Sequence, residues 1–258
     1  MLRKRLIFTL LYDSGYFIQS RNFRRQKIGK KEWINKNYNF SYVSNFIDEL
    51  IILDISDKKN IKKFIQNCKY ISDKVFVPMS FGGGINTTEY AKQYFENGAD
   101  KVVINSQAFL NKKIINKISD NYGSSSVIIS IDVKYKKKDH YVYIHNGKKN
   151  TEMTIERYLK FISDIKFAEV YLNSIDNDGT GNGIDKKLLL KLKKFDYKFI
   201  ITGGLGNFTH FYDVFKKNKK VEAIATANLL NFVGDSLKIV REKLIRKKVD
   251  LSIRNLTV

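Results

Sequence analysis

The sequence predicts a single closed (β/α)8 barrel, the TIM-barrel fold, spanning residues 1–258 as one domain. Three observations carry this. Short Val/Ile-rich segments alternate eight times with amphipathic ones, the pattern of a parallel sheet covered by helices. The apolar segments are nearly continuous in hydrophobicity, as strands buried on both faces are. The chain also repeats itself: RLIFTLL, DELIILDIS, VPMSFGGGIN and DKVVINSQAFLN are followed, in the same order and spacing, by SVIISID, AEVYLNSID, KFIITGGLGN and VEAIATANLLN. Two four-stranded halves, about 1–122 and 123–258, favour a closed ring over a doubly wound open sheet, and a length near 250 residues is usual for such a barrel.

The expected strands are 5–11, 49–55, 75–81, 101–105, 126–133, 168–174, 198–202 and 221–226. Helices are expected near 31–45, 58–70, 87–97, 111–121, 153–166, 185–194, 208–217 and 234–247. Asn86 or Thr87, Asn111 and Asp185 are placed to cap three of them. The only proline, Pro78, falls at a strand start, where its missing N–H costs least. Two segments interrupt the rhythm. Residues 12–30 read as a long loop with cations in its second half, and 133–150 alternate like a hairpin. Both follow strands at equivalent places in the two halves, on the face where barrels carry their sites, so both are expected to act as lids.

Composition narrows the classes. With 43% hydrophobic residues the chain has material for a core, and it has no apolar run long enough to span a membrane. The basic-then-apolar start lacks a small-residue cleavage site and matches SVIISID, so it reads as a first strand rather than a signal peptide. The lone Cys68 has no thiol partner for a disulfide or zinc site, which suits a reducing, cytoplasmic setting. The net charge of +21 sits on lysines interleaved with core residues at helical spacing, and no nucleic-acid motif accompanies it. It is read as solvated helix surface with some attraction for phosphate, and neither a nucleic acid nor a membrane is expected as partner. No metal or cofactor is expected.

Glycines and small polar residues cluster where phosphates bind. Gly82-Gly83-Gly84 follows strand three, Gly203-Gly204 follows strand seven, and Asn105-Ser106 and Ala227-Asn228 follow strands four and eight. Glycine lets backbone N–H groups approach an anion, and each turn leads into a helix N-terminus. Two such turns in symmetric positions suit a ligand with a phosphate at each end. GxGxxG is absent, which disfavours a dinucleotide site.

The stretches IDELIILDI, GGGI, GADKVVINS, SIDVK, HNGKKNT, NSIDNDGTGNGID and TGGLGN resemble the HisF family, the cyclase subunit of imidazole glycerol phosphate synthase, over essentially the whole chain. The resemblance implies a lyase–cyclisation reaction of histidine biosynthesis at one end of the barrel. It also implies a glutamine amidotransferase partner of the HisH type, forming a heterodimer and delivering ammonia at the other end. It places one phosphate site on Gly83, Gly84, Asn105 and Ser106, a second on Asp178, Gly179, Gly204, Ala227 and Asn228, and a catalytic aspartate on Asp132. Arg5, Glu49, Lys101 and Glu169 match the ring of charges that gates ammonia, and Asp100 matches a contact to the partner.

Two positions depart. The family's first catalytic aspartate falls on Leu11, and a substrate-contacting lysine falls on Gln19; Asp13, two residues along, is a poor substitute for the former. A leucine cannot transfer a proton, so cyclase chemistry is expected to be impaired. Leu11, Gln19 and the FGGGI motif at 81–85 resemble the WbuZ-type branch of surface-polysaccharide loci. That branch implies a role in acetamidino-sugar biosynthesis, with a sugar N-acetyl amidotransferase as third protein. The alternatives are an active cyclase of histidine biosynthesis and a basic scaffold without chemistry.

Overall fold

The computed structural model describes residues 3–227 and 236–252. Eight parallel strands close into a ring in the order β1 (Arg5–Asp13), β4 (Glu49–Asp54), β5 (Met79–Gly82), β6 (Lys101–Ile104), β7 (Val127–Lys136), β10 (Glu169–Ser174), β11 (Phe199–Thr202) and β12 (Val221–Thr226), with β12 returning to β1. Closure leaves no edge among these strands, and the (β/α)8 expectation holds. Around the ring pack α1 (Lys31–Asn37), α2 (Phe40–Val43), α3 (Ile61–Ser72), α4 (Thr88–Phe95), α5 (Gln107–Leu110), α6 (Lys112–Tyr122), α7 (Ile155–Phe161), α8 (Lys186–Leu192), α9 (Phe208–Lys217) and α10 (Ser236–Arg246). Among the described residues no helix is long and apolar enough to cross a membrane.

Strand alternation divides the core in two. On β1, Leu6, Phe8 and Leu10 face the helices and join the large outer core. Ile7 faces inward to Ile51, Val103, Ile128, Tyr171, Ile200, Ala223 and Ala225, which fill the barrel's middle. On β5, Phe81 packs between Phe64 of α3 and Tyr94 of α4. The last helix is fastened by a buried pair: the Arg241 guanidinium reaches both Asp48 oxygens, at 3.0 and 3.1 Å, and Asp48 also accepts from the Leu6 N–H.

Five expectations need correction. Residues 12–30 are not an open loop. Strand β1 turns at Ser14-Gly15 into β2 (Tyr16–Arg21), and Asn22-Phe23 turns that into β3 (Arg24–Gly29). All four turn residues have positive φ, the geometry of the two-residue turns that suit strand twist. The 133–150 segment is larger than a hairpin, because β7 continues into a meander with β8 (Asp139–Ile144) and β9 (Lys149–Thr154). The helix expected over 31–45 breaks in two, with Asn39 capping the second piece by accepting from Tyr42 N–H. The third strand starts at Met79, immediately after Pro78, rather than at 75. Thr87 and Asp185 cap as expected, whereas the Asn111 side chain makes no cap bond.

Candidate functional site

The cavity at the strand C-terminal ends encloses about 390 Å³. Gly83 and Gly84 just after β5, Asn105 and Ser106 just after β6, Asp132 from β7, Asp178 from the loop after β10, and Ala227 after β12 all line it. A second cavity of similar volume adjoins it through Asp178, Thr202 and Ala227, and is lined also by Gly179 and Gly204. Asp132 and every expected phosphate-site residue among those described therefore lie on one continuous hollow. Asn228 lies outside the described residues. The two glycine turns are built alike. A Cβ on Gly83 would stand 2.1 Å from Asp54 O, and one on Gly204 would stand 2.1 Å from Gly183 O, so only glycine permits these backbone approaches.

Leu11 and Asp132 come from β1 and β7, four strands apart on the eight-stranded ring, and both line the main cavity. Asp132 is buried and its Oδ2 accepts from the Asn105 amide at 3.1 Å. Burial, and then the nearby Asp178 carboxylate, push its pKa up to about 7 against the pull of that hydrogen bond. A carboxyl poised there can hold or release a proton at neutral pH. Asp178 is also raised by burial, opposed by the Ser20 hydroxyl and the Phe23 N–H that donate to it. Both donors come from the β2–β3 hairpin, which folds over the cavity. Asp13 does not take Leu11's place: it pairs with Arg25 at 3.0 Å and is not among the cavity-lining residues. Gln19 sits on β2, paired with Gln26, and does not line the cavity either.

At the opposite end, Arg5, Glu49, Lys101 and Glu169 converge into a ring. Arg5 pairs with both glutamates, and Lys101 reaches Glu169 at 3.2 Å and Glu49 at 3.5 Å. Burial disfavours the charged form of Glu169, but Arg5 and then Lys101 outweigh it and hold the carboxyl below its ordinary range. Asp100 is exposed beside this ring, with one oxygen accepting from Met79 N–H at 2.8 Å. Between ring and cavity stands Tyr171, its hydroxyl 3.2 Å from Thr9 Oγ1 in an otherwise apolar layer.

Sequence reasoning missed several participants. Ser20, Phe23, Arg25, Lys59, Lys148 and Tyr171 all line the cavity. The hairpin and the meander meet there: Arg25 of β3 and Lys148 of the meander both pair with Asp57, and the Phe23 ring stands 2.7 Å from where a Cβ on Gly147 would be. For Phe23, Arg25, Lys59 and Lys148 the only signals were a turn and unexplained cations, and Ser20 and Tyr171 carried none.

Fold and hollow together define a barrel with an acidic, glycine-cradled cavity at one end and a closed ring of charges at the other. The chain belongs to the histidine biosynthesis protein family, whose model matches residues 18–233. It is similar to a protein of Parasynechococcus marenigrum provisionally named imidazole glycerol phosphate synthase subunit hisF2, at 43% identity over 94% of this chain and 91% of that one. The HisF subunit of imidazole glycerol phosphate synthase from Pelodictyon phaeoclathratiforme is 32% identical over 98% of this chain and all of its own length. The HisF subunit of Flavobacterium johnsoniae is 34% identical over 80% of this chain and 82% of its own. The HisF resemblance read from the motifs thus stands at the level of the family.

Proposed function

We propose that this barrel is a HisF-type synthase subunit that takes ammonia from a HisH-type glutaminase and passes it through the barrel. In this reading it serves acetamidino-sugar biosynthesis for a surface glycan, as in the WbuZ-type branch, and its cyclase chemistry is impaired. The observation that carries the reading is an asymmetry between the two ends. The ring of Arg5, Glu49, Lys101 and Glu169 is complete and mutually paired, while Leu11 stands where an acid/base partner for Asp132 would be needed. Charges aimed into a barrel interior are costly unless paired, and a complete set of four is readily understood as a retained gate. Loss of a general acid/base commonly lowers a rate by about 10²–10⁴-fold, so cyclisation would fall at least that far. The glycine turns with Asn105, Ser106, Asp178, Gly179 and Ala227 would still hold a phosphorylated small molecule, and Asp100 would contact the glutaminase. A sugar N-acetyl amidotransferase would be the final recipient of the ammonia.

A second reading, a working cyclase of histidine biosynthesis, is favoured by Asp132 itself. Its pKa of about 7 and its Asp178 neighbour suit proton transfer in an otherwise intact cavity. A basic scaffold without chemistry accounts for neither the ring nor the cavity. Co-purification tests the shared partner: a HisH-type glutaminase from the same organism should form a roughly one-to-one complex with this chain and turn over glutamine faster than when alone. No complex and no stimulation would refute the ammonia role in both readings.

A further inference from the structure

We infer that Lys59 is the cation that holds a phosphate at the Gly83–Gly84 turn, supplied from the β4–α3 loop instead of from the β2–β3 hairpin. The inference rests on the phosphate reading of that turn given above, and it names a residue to which that reading assigns no part.

The geometry triangulates the ammonium group. Asp54 O lies 2.1 Å from the position of a Cβ on Gly83, and Lys59 Nζ donates to that same oxygen at 2.5 Å. Lys59 Cγ lies 3.2 Å from the position of a Cβ on Gly84. The ammonium therefore stands against the turn whose N–H groups would meet an anion, and Lys59 lines the cavity. Three Lys or Arg side chains line that cavity among the described residues: Arg25, Lys59 and Lys148. Arg25 is engaged by Asp13 at 3.0 Å and Asp57 at 3.3 Å, and Lys148 by Asp57 at 2.7 Å. Lys59 is differently placed. Its carboxylate neighbour, Asp54, is 3.6 Å away at Oδ1, an oxygen that already accepts from the Ser56 N–H and hydroxyl.

An ammonium has three donors, and the Asp54 carbonyl takes one. Its side chain is about a quarter exposed, so it is largely removed from bulk water, and burial lowers its pKa despite Asp54. A bound phosphate would complete its coordination and restore the charge balance that burial disturbs.

The probe is inorganic phosphate, titrated calorimetrically and soaked into crystals of the full chain. Wild type should take up phosphate at Gly83–Gly84 and at Gly204. Lys59→Met should weaken the first site at least about tenfold, the effect of one charge-assisted hydrogen bond, and leave the second unchanged. Lys59→Arg should retain most of the affinity. Should Lys59→Met fold poorly, Lys59→Gln keeps a donor for Asp54 O while removing the charge, and should show the same selective loss. Thermal unfolding without phosphate separates a purely structural role, which would lower Tm and leave phosphate affinity intact. Unchanged binding at Gly83–Gly84 in the charge-removing variants overturns the inference alone. Wild type that binds no phosphate at this turn overturns the phosphate reading and the inference with it.

Discussion

Asp132 holds its proton to about neutrality because burial and Asp178 disfavour the anion. Its folded pKa lies above the unfolded value, so the stability tied to the protonated form is present below about pH 4 and is lost as pH rises through about 7. Asp132→Asn removes that titration. The variant should match wild type near pH 4 and become the more stable of the two by roughly 2–4 kcal/mol at pH 8, read from denaturant midpoints. Equal pH dependence in both proteins would show that Asp132 ionises normally. The chemistry follows from the same environment: a carboxyl that titrates near neutrality is retained, but the side chain across from it is Leu11. What the sequence made legible at this scale was the mismatch between those two positions, because the HisF resemblance calls for an aspartate at each and Leu11 fills one of them. Lys59 was not legible. In KKNIKKF every lysine looks alike, and only the closed barrel turns one of them toward Gly83 and Gly84.

At the scale of elements, the hairpin and the meander are tied together by Asp57, which receives Arg25 from the hairpin and Lys148 from the meander. The hairpin is also fixed to the β10 side through Ser20, Asn22 and Phe23, which donate to Asp178, Asp176 and Ile175. Asp57→Ala removes the shared acceptor while leaving the Asp178 contacts in place. Amide exchange should then quicken in both 16–29 and 139–154, by roughly two- to fivefold, as expected for partly exposed ion pairs. Faster exchange in one of them only would show that the two move independently. The barrel strands were readable from sequence because each is a compact Val/Ile run bounded by turn residues. The hairpin was not, because β3 reads RRQKIG, without an apolar face, and its turn uses Phe23 at a φ of 62°, which composition does not announce. The β7–β9 meander was half-readable, since HYVYI alternates plainly while KNTEMT does not.

At the scale of the whole molecule, the barrel separates two charged regions along one axis. A closed ring of paired charges sits at the strand starts, a packed apolar layer with the Tyr171 hydroxyl in its middle, and an acidic cavity under the hairpin and the meander at the strand ends. Sequence gave access to both ends, because the ring and the cavity come from residues at fixed offsets along repeated strands. The axial layer between them depends on which side chains meet across the ring, and Tyr171 emerged only with closure. In the proposed function, ammonia delivery is kept while cyclisation is impaired. Complementation of a histidine auxotroph lacking its cyclase tests this most directly, with the auxotroph's own glutaminase and a HisH-type glutaminase from this chain's organism both supplied. The unmodified protein should fail to restore growth without histidine, and Leu11→Asp, alone or with Gln19→Lys, should restore it partially; growth at the normal rate with the unmodified protein would contradict the account and return the chain to histidine biosynthesis.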